Sequence, residues 1–201
     1  MGVRIALLLM IAAVSVVTEA QTSPAQTMGP APQLALQYTY LRSNAPVGQC
    51  TCFSPEGGSA SISVPLPGGH FSLAGDVTAG HSGGISNASY DLTLTVFTAG
   101  VRITPGFTMG RLVPYGQILA GGAHAGGSLV SGNSPANNSS VVFASNAGGG
   151  LDLVLHPESR VSLRLVEADY VATLFRNGRN DHQNNLRLSG GIVIEVGRRS
   201  R

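Results

Sequence analysis

From Gln33 to Gly197 apolar and polar residues alternate along segments of about ten residues, broken by clusters of glycine, proline, asparagine and serine. Successive side chains of an extended strand point to opposite faces, so each segment reads as a strand with one apolar face. In QLALQYTYLR (33–42), Leu34, Leu36, Tyr38 and Tyr40 oppose Ala35, Gln37 and Thr39. In NLRLSGGIVIEVG (185–197), Leu188, Ile192, Ile194 and Val196 oppose Arg187, Ser189 and Glu195. Between them the alternation predicts strands near 59–66, 70–81, 90–103, 111–126, 141–155 and 161–175, with no sustained helical period. The expected fold is all-β: an up-and-down antiparallel barrel of about eight strands, occupying 33–197.

The connections carry further information. Those after the odd strands are long and polar (SNAPVGQCTCFSPEGG, SGGISNAS, GSLVSGNSPANNSS, RNGRNDHQNN), and those after the even strands (PGG, TPGFTMGR, HPESR) are mostly shorter. Transmembrane barrels show this asymmetry, with short periplasmic turns and longer extracellular loops. Most segments also reach the roughly 9–11 residues that a tilted membrane-spanning strand needs. The exception is SISVPLP, whose Pro65 cannot donate to a ladder and belongs near a turn or bulge. Aromatic residues divide between the two ends, as interfacial girdles do: Tyr38, Tyr40, Tyr90, Phe143, Tyr170 and Phe175 towards the long connections, Phe71, Phe107 and Tyr115 towards the short ones, with Phe97 mid-strand.

If the apolar faces meet lipid, the alternation aims Gln37, Thr39, Ser72, Asp76, Thr78, Thr93, Thr95, Asn146, Asp152, Arg164, Arg187 and Glu195 inward. Charged groups there must pair, and Asp76, Asp152 and Glu195 are available to Arg164 and Arg187. The interior of an eight-stranded barrel is about wide enough for its own side chains, so the expectation is a lumen plugged by this polar network. Glu167 and Asp169 break the pattern, being in phase with Leu163 and Leu165. Either a bulge near Val166 or emergence of the strand above the bilayer would resolve the conflict.

Composition agrees with export. Arg4, an apolar run from Ile5 to Val17 and small residues around Ala20 form a signal-peptide pattern, predicting cleavage near Ala20 and a proline-rich lead-in over 21–32. The run is shorter than the roughly 20 apolar residues of a membrane helix. Charged residues make up only 11% of the chain and the net charge is +2, which supplies no nucleic-acid footprint. A basic tail occupies 198–201. Cys50 and Cys52, in the first long connection, are candidates for a small disulfide ring in an oxidising compartment, with free or metal-bound thiols as the alternative.

Candidate chemistry is thin. His81, Ser82, Asp76 and His124 lie near strand ends, but adjacent His and Ser in a strand face opposite ways, against nucleophile activation. Five scattered histidines lack the spacing of a closed metal site, so neither a metal nor a cofactor is expected. The Asn-x-Ser sequons at Asn87, Asn137 and Asn138 read as ordinary loop composition. The triplet Gly148-Gly149-Gly150 reads as close strand packing or curvature, since the chain contains no lysine to complete a phosphate loop.

In the stretches NAPVGQCTCFSPEGGSAS, LAGDVTAGH, PYGQILAGGAHA, GGGLDL, VSLRLVEADYVATLF and NNLRLSGGIVIEVG the chain resembles small outer-membrane β-barrel proteins of Gram-negative bacteria, of the porin and outer-membrane-protein-A-like kind, most nearly those of acidobacteria. The resemblance implies insertion by the barrel-assembly machinery, which reads a final strand of the form apolar-x-Gly-x-x-x-apolar-x-aromatic. Leu188, Gly190, Ile194 and Val196 match its spacing, with Val196 in place of the aromatic. The expected protein is a monomeric, non-enzymatic barrel in outer-membrane lipid with a structural or loop-mediated role. A narrow pore, an exported soluble ligand-binding barrel and an envelope-lipid-modifying enzyme are the alternatives.

Overall fold

The computed structural model describes residues 31–43, 54–85, 90–127, 139–156, 159–175 and 182–197. Eight strands follow in order: β1 (Gln33–Ser43), β2 (Glu56–Pro65), β3 (Phe71–Ile85), β4 (Tyr90–Ile103), β5 (Leu112–Gly126), β6 (Ser139–Val154), β7 (Val161–Thr173) and β8 (Gln183–Glu195). Each pairs antiparallel with its sequence neighbours, and β1 pairs with β8 to close the barrel. Closure involves a large stagger. From Asp76 the cross-strand partners run through Thr98, Gly121, Ala144 and Thr173 to Gln183. In the other direction they run through Ser61 and Ala35 to Val193, ten residues further along β8. Tilted strands with a fixed shear are the geometry that lets a sheet close on itself.

Pro65 ends β2, where its missing N–H interrupts no central ladder. The connections are less unequal than their composition predicts. β3 runs on to Ile85, so its connection to β4 is only 86–89, shorter than the 104–111 connection on the opposite end. Paired strand has replaced loop there, although the other three connections on that end (44–55, 127–138, 174–182) remain the longest.

The barrel is apolar outside and polar within. Leu34, Leu36, Leu73, Val101, Ile118, Phe143, Leu163, Leu188 and Ile192 are exposed on the outer surface, while Gln37, Thr39, Ser72, Asp76, Arg102, Asp152, Arg164 and Arg187 are buried in the lumen. The lumen has two layers. Towards the long connections, Leu41, Leu92, Leu94, Val96, Ala123, Ala125, Ala144 and Val171 pack together, with Val142 and Phe175 against them. Below them lie the polar and charged groups.

Two inward assignments need correction. Thr93 and Thr95 face outward, and Leu92, Leu94, Val96 and Thr98 fill the lumen instead. The reason lies further along β4: Arg102 shares their parity, and a guanidinium cannot sit in a lipid-facing row while carboxylates wait inside. Tyr115 likewise points inward, 7% exposed, and belongs to no girdle.

Candidate functional site

Six strands contribute to one ionic cluster: Asp76 and Thr78 from β3, Arg102 from β4, Tyr115 and Gln117 from β5, Asp152 from β6, Arg164, Glu167 and Asp169 from β7, and Arg187 from β8. Arg187 is the hub. Its Nη1 donates to Asp76 Oδ1 and Thr78 Oγ1, its Nη2 to Glu167 Oε1 (2.7 Å) and Asp169 Oδ2 (2.6 Å), and its Nε to the same Asp169 oxygen (3.0 Å). Arg164 grips Asp152 through two parallel bonds of 2.8 and 3.0 Å and donates its Nη1 to Glu167 Oε2 at 2.8 Å. This fork geometry suits a planar guanidinium and is beyond an ammonium.

Arg102 is held less directly. Its Nε and Nη2 donate to Gln117 Oε1 at 3.2 and 2.8 Å, Gln117 passes the contact on to Asp169 Oδ1 at 3.2 Å, and Glu167 Oε2 lies 3.9 Å from Arg102 Nη2. The Tyr115 ring lies between two cations, 4.3 Å from the Arg102 guanidinium carbon and 4.6 Å from that of Arg164, and its hydroxyl donates to Glu167 Oε2. An aromatic face stabilises cations best where water is excluded, and Arg164 and Glu167 are 1% and 0% exposed.

A β-bulge makes this arrangement possible. The β7–β8 register shifts between Arg164 and Glu167, and Leu165 and Val166 both lie on the outer surface. The extra residue reverses the phase of β7, so Arg164 below the bulge and Glu167 and Asp169 above it all face the lumen. Of the two resolutions open to the sequence, the bulge is the one realised.

The glycine triplet supplies the space. Gly148 stands opposite Asp169 and Gly150 opposite Glu167, and a Cβ on Gly150 would lie 2.6 Å from the Tyr115 hydroxyl oxygen. A hydroxyl network lines the adjoining wall, where Thr39 donates to Ser59 (3.0 Å), Ser59 to Gln37 Oε1 (3.2 Å), and Thr39 and Ser189 share a bond of 2.9 Å. Not every polar atom is matched: Asn146 is 1% exposed, and neither its Oδ1 nor its Nδ2 has a protein partner among the described residues.

The predicted site residues divide accordingly. Asp76, Asp152, Arg164 and Arg187 come together as a lumen network. Glu195 shares their inward parity but sits half-buried at the end of β8, across from Gln33 and eight residues beyond Arg187. Arg102, Tyr115, Gln117, Glu167 and Asp169 were not anticipated as members. Arg102 carried a usable signal, since a lone arginine in an apolar-alternating strand fixes which face is inward. Cys50 and Cys52 lie outside the described residues.

The candidate catalytic group does not assemble. His81 is exposed on the outer surface, bonded through Nδ1 to Thr93 Oγ1 at 3.1 Å, His124 lies across the sheet from Thr95 on the same outer face, and Asp76 is inside with Arg187. Among the described residues no group of three His, Cys, Asp or Glu is placed to hold a metal ion. Leu188, Gly190, Ile194 and Val196 share the outward face of the last strand and the residues that end it, Leu188 and Val196 being exposed.

Two solved structures show how this scaffold is used elsewhere. The attachment invasion locus protein Ail of Yersinia pestis, in complex with the heparin analogue sucrose octasulfate, matches with a TM-score of 0.53 at 17% identity over 83% of this chain and 100% of that one. The outer-membrane protein OprG of Pseudomonas aeruginosa matches with a TM-score of 0.52 at 11% identity over 85% of this chain and 97% of that one. The fold is that of the eight-stranded outer-membrane barrels. No known family profile matches the chain, and no curated protein matches it in sequence. At these identities the likeness concerns the barrel architecture and not the activity.

Proposed function

We propose that this chain is an integral outer-membrane barrel, exported after cleavage near Ala20 and inserted by the barrel-assembly machinery through the outward row Leu188, Gly190, Ile194 and Val196. It sits in the bilayer as a monomer with a closed lumen, and its role is structural or carried by the long connections. One observation carries the reading: the apolar surface is on the outside and the charges are inside. Exposures of 72% for Ile118, 55% for Leu73, 53% for Phe143 and 49% for Leu36 describe a surface that water would not tolerate and lipid would. Tyrosine hydroxyls mark its upper edge. Tyr38 donates to Glu56 (2.8 Å) and Tyr170 to Asn184 (2.6 Å), while Tyr40 bonds Ser54 (2.8 Å), each partner lying nearer the long connections.

Cell fractionation with gel migration before and after heating tests the proposal. The protein is expected in the outer-membrane fraction, running faster unheated than heated. Recovery in the soluble periplasm with no heat-dependent shift would favour an exported soluble barrel instead.

A further inference from the structure

The charges of the described residues divide between the lumen and the two ends of the barrel. At the long-connection end Arg42 stands with Glu56 and Asp91. The lumen holds three arginines against four carboxylates. Among the described residues the positive excess is therefore at the short-connection end, where Arg111 and Arg160 stand with Glu195.

This end is also apolar at its surface. Leu66 (37% exposed), Phe107 (56%), Met109 (60%) and Leu155 (48%) stand out from the three short connections, next to exposed His70, Arg111, His156 and Arg160. Polar turns facing open water have no use for such residues. Apolar side chains interleaved with arginines suit the boundary between acyl chains and headgroups, where the one dips into the membrane and the other meets phosphate. The turns hold these groups firmly: Thr104 N–H donates to His70 O (2.8 Å), Met109 and Leu112 bond reciprocally, and Arg111 Nη1 donates to Leu155 O (3.2 Å).

We propose that the short-connection rim, centred on Arg111 and Arg160, binds anionic phospholipid headgroups of the leaflet it faces. The inference rests on the membrane reading above and adds to it a partner chemistry. Native mass spectrometry of the full mature chain, released from bilayers of phosphatidylethanolamine with a minority of phosphatidylglycerol, measures it. Phosphatidylglycerol should be retained in excess over its bulk fraction, and R160Q should reduce that excess about fivefold, the effect of one arginine near an anionic surface. R111Q/R160Q should reduce it further, and R42Q at the opposite end should leave it unchanged.

Because Arg111 also braces a turn, R160Q alone serves as the decisive variant. A barrel that inserts with heat-dependent migration yet retains no phosphatidylglycerol excess, or loses it equally in R42Q, overturns the inference and leaves the membrane reading standing. Failure to insert overturns both. Co-sedimentation with purified peptidoglycan, in place of any lipid preference, would also overturn the inference, assigning the rim to that polymer.

Discussion

At the scale of single residues, the ionic cluster is tightly interdependent. Arg187 compensates Asp76, Glu167 and Asp169 at once, so its loss strands carboxylates in a lumen they cannot leave. Breaking a buried pair by removing one partner costs about 3–5 kcal/mol. Arg187→Met should destabilise the barrel by that order in urea titrations in detergent micelles, whereas Arg42→Met on the exposed rim should change it by less than about 0.5 kcal/mol. Tyr115→Phe keeps the ring between Arg102 and Arg164 and leaves Glu167 Oε2 bonded to Arg164, so it should cost the one hydrogen bond to a charged group that it deletes, about 1.5–3 kcal/mol. Asn146 presents the opposite case. Both its amide atoms lack a partner among the described residues, so Asn146→Leu, of similar size, should be neutral or stabilising in the same titration. A marked loss would show that an ordered water had been satisfying the amide.

At the scale of elements, β7 shows what alternation can and cannot reveal. The sequence of β1 and β8 was legible because a single phase holds from end to end, and strand boundaries elsewhere were legible from glycine and proline punctuation except in β3, which continues through Gly83 and Gly84 to Ile85. A bulge conserves composition while inverting phase, so Glu167 and Asp169 read as misplaced until a partner register showed Leu165 and Val166 sharing the outer face. β4 has the opposite phase to its expected one for a related reason. The rule that apolar residues face lipid was applied to Leu92, Leu94 and Val96, but an apolar layer inside the lumen satisfies hydrophobicity equally well, and only Arg102 distinguishes the two phases. The cluster itself was half legible: pairing of Asp76 and Asp152 with arginines followed from charge, but the meeting of Tyr115 with Glu167 over Gly150 depends on the registers of β5 with β6 and of β6 with β7, which no single strand encodes. Deleting Val166 tests the role of the bulge. Without the extra residue Arg164, Leu165 and Glu167 alternate regularly and every charged group keeps the lumen face, so the deletion should preserve the fast-migrating folded band, whereas deleting Leu165 and Val166 together must turn either Arg164 or the Glu167–Asp169 pair to lipid and should abolish it.

At the scale of the whole molecule, the two lumen layers obstruct passage by different physics. The lower layer fills the bore with side chains locked by ion pairs, and any solute must break them. The upper layer offers nothing for a hydrated ion to bind, since Leu41, Leu92, Leu94, Val96 and Val171 line it and the desolvation of an ion in such surroundings is prohibitive. Obstructions in series imply that removing one leaves the other in place. The wild-type barrel in planar bilayers should therefore show no steady conductance, and neither should Leu41→Ala/Leu94→Ala, which thins only the apolar layer. Replacing Asp76, Arg102, Asp152, Arg164, Glu167, Asp169 and Arg187 together by serine removes the lumen charges without leaving an unpaired ion, and it should also stay closed while the leucines remain. Only the combination of the two sets should conduct, with heat-dependent migration confirming that each variant is folded. Conductance from the ionic-layer variant alone would assign the whole seal to the ion pairs and reduce the apolar layer to packing.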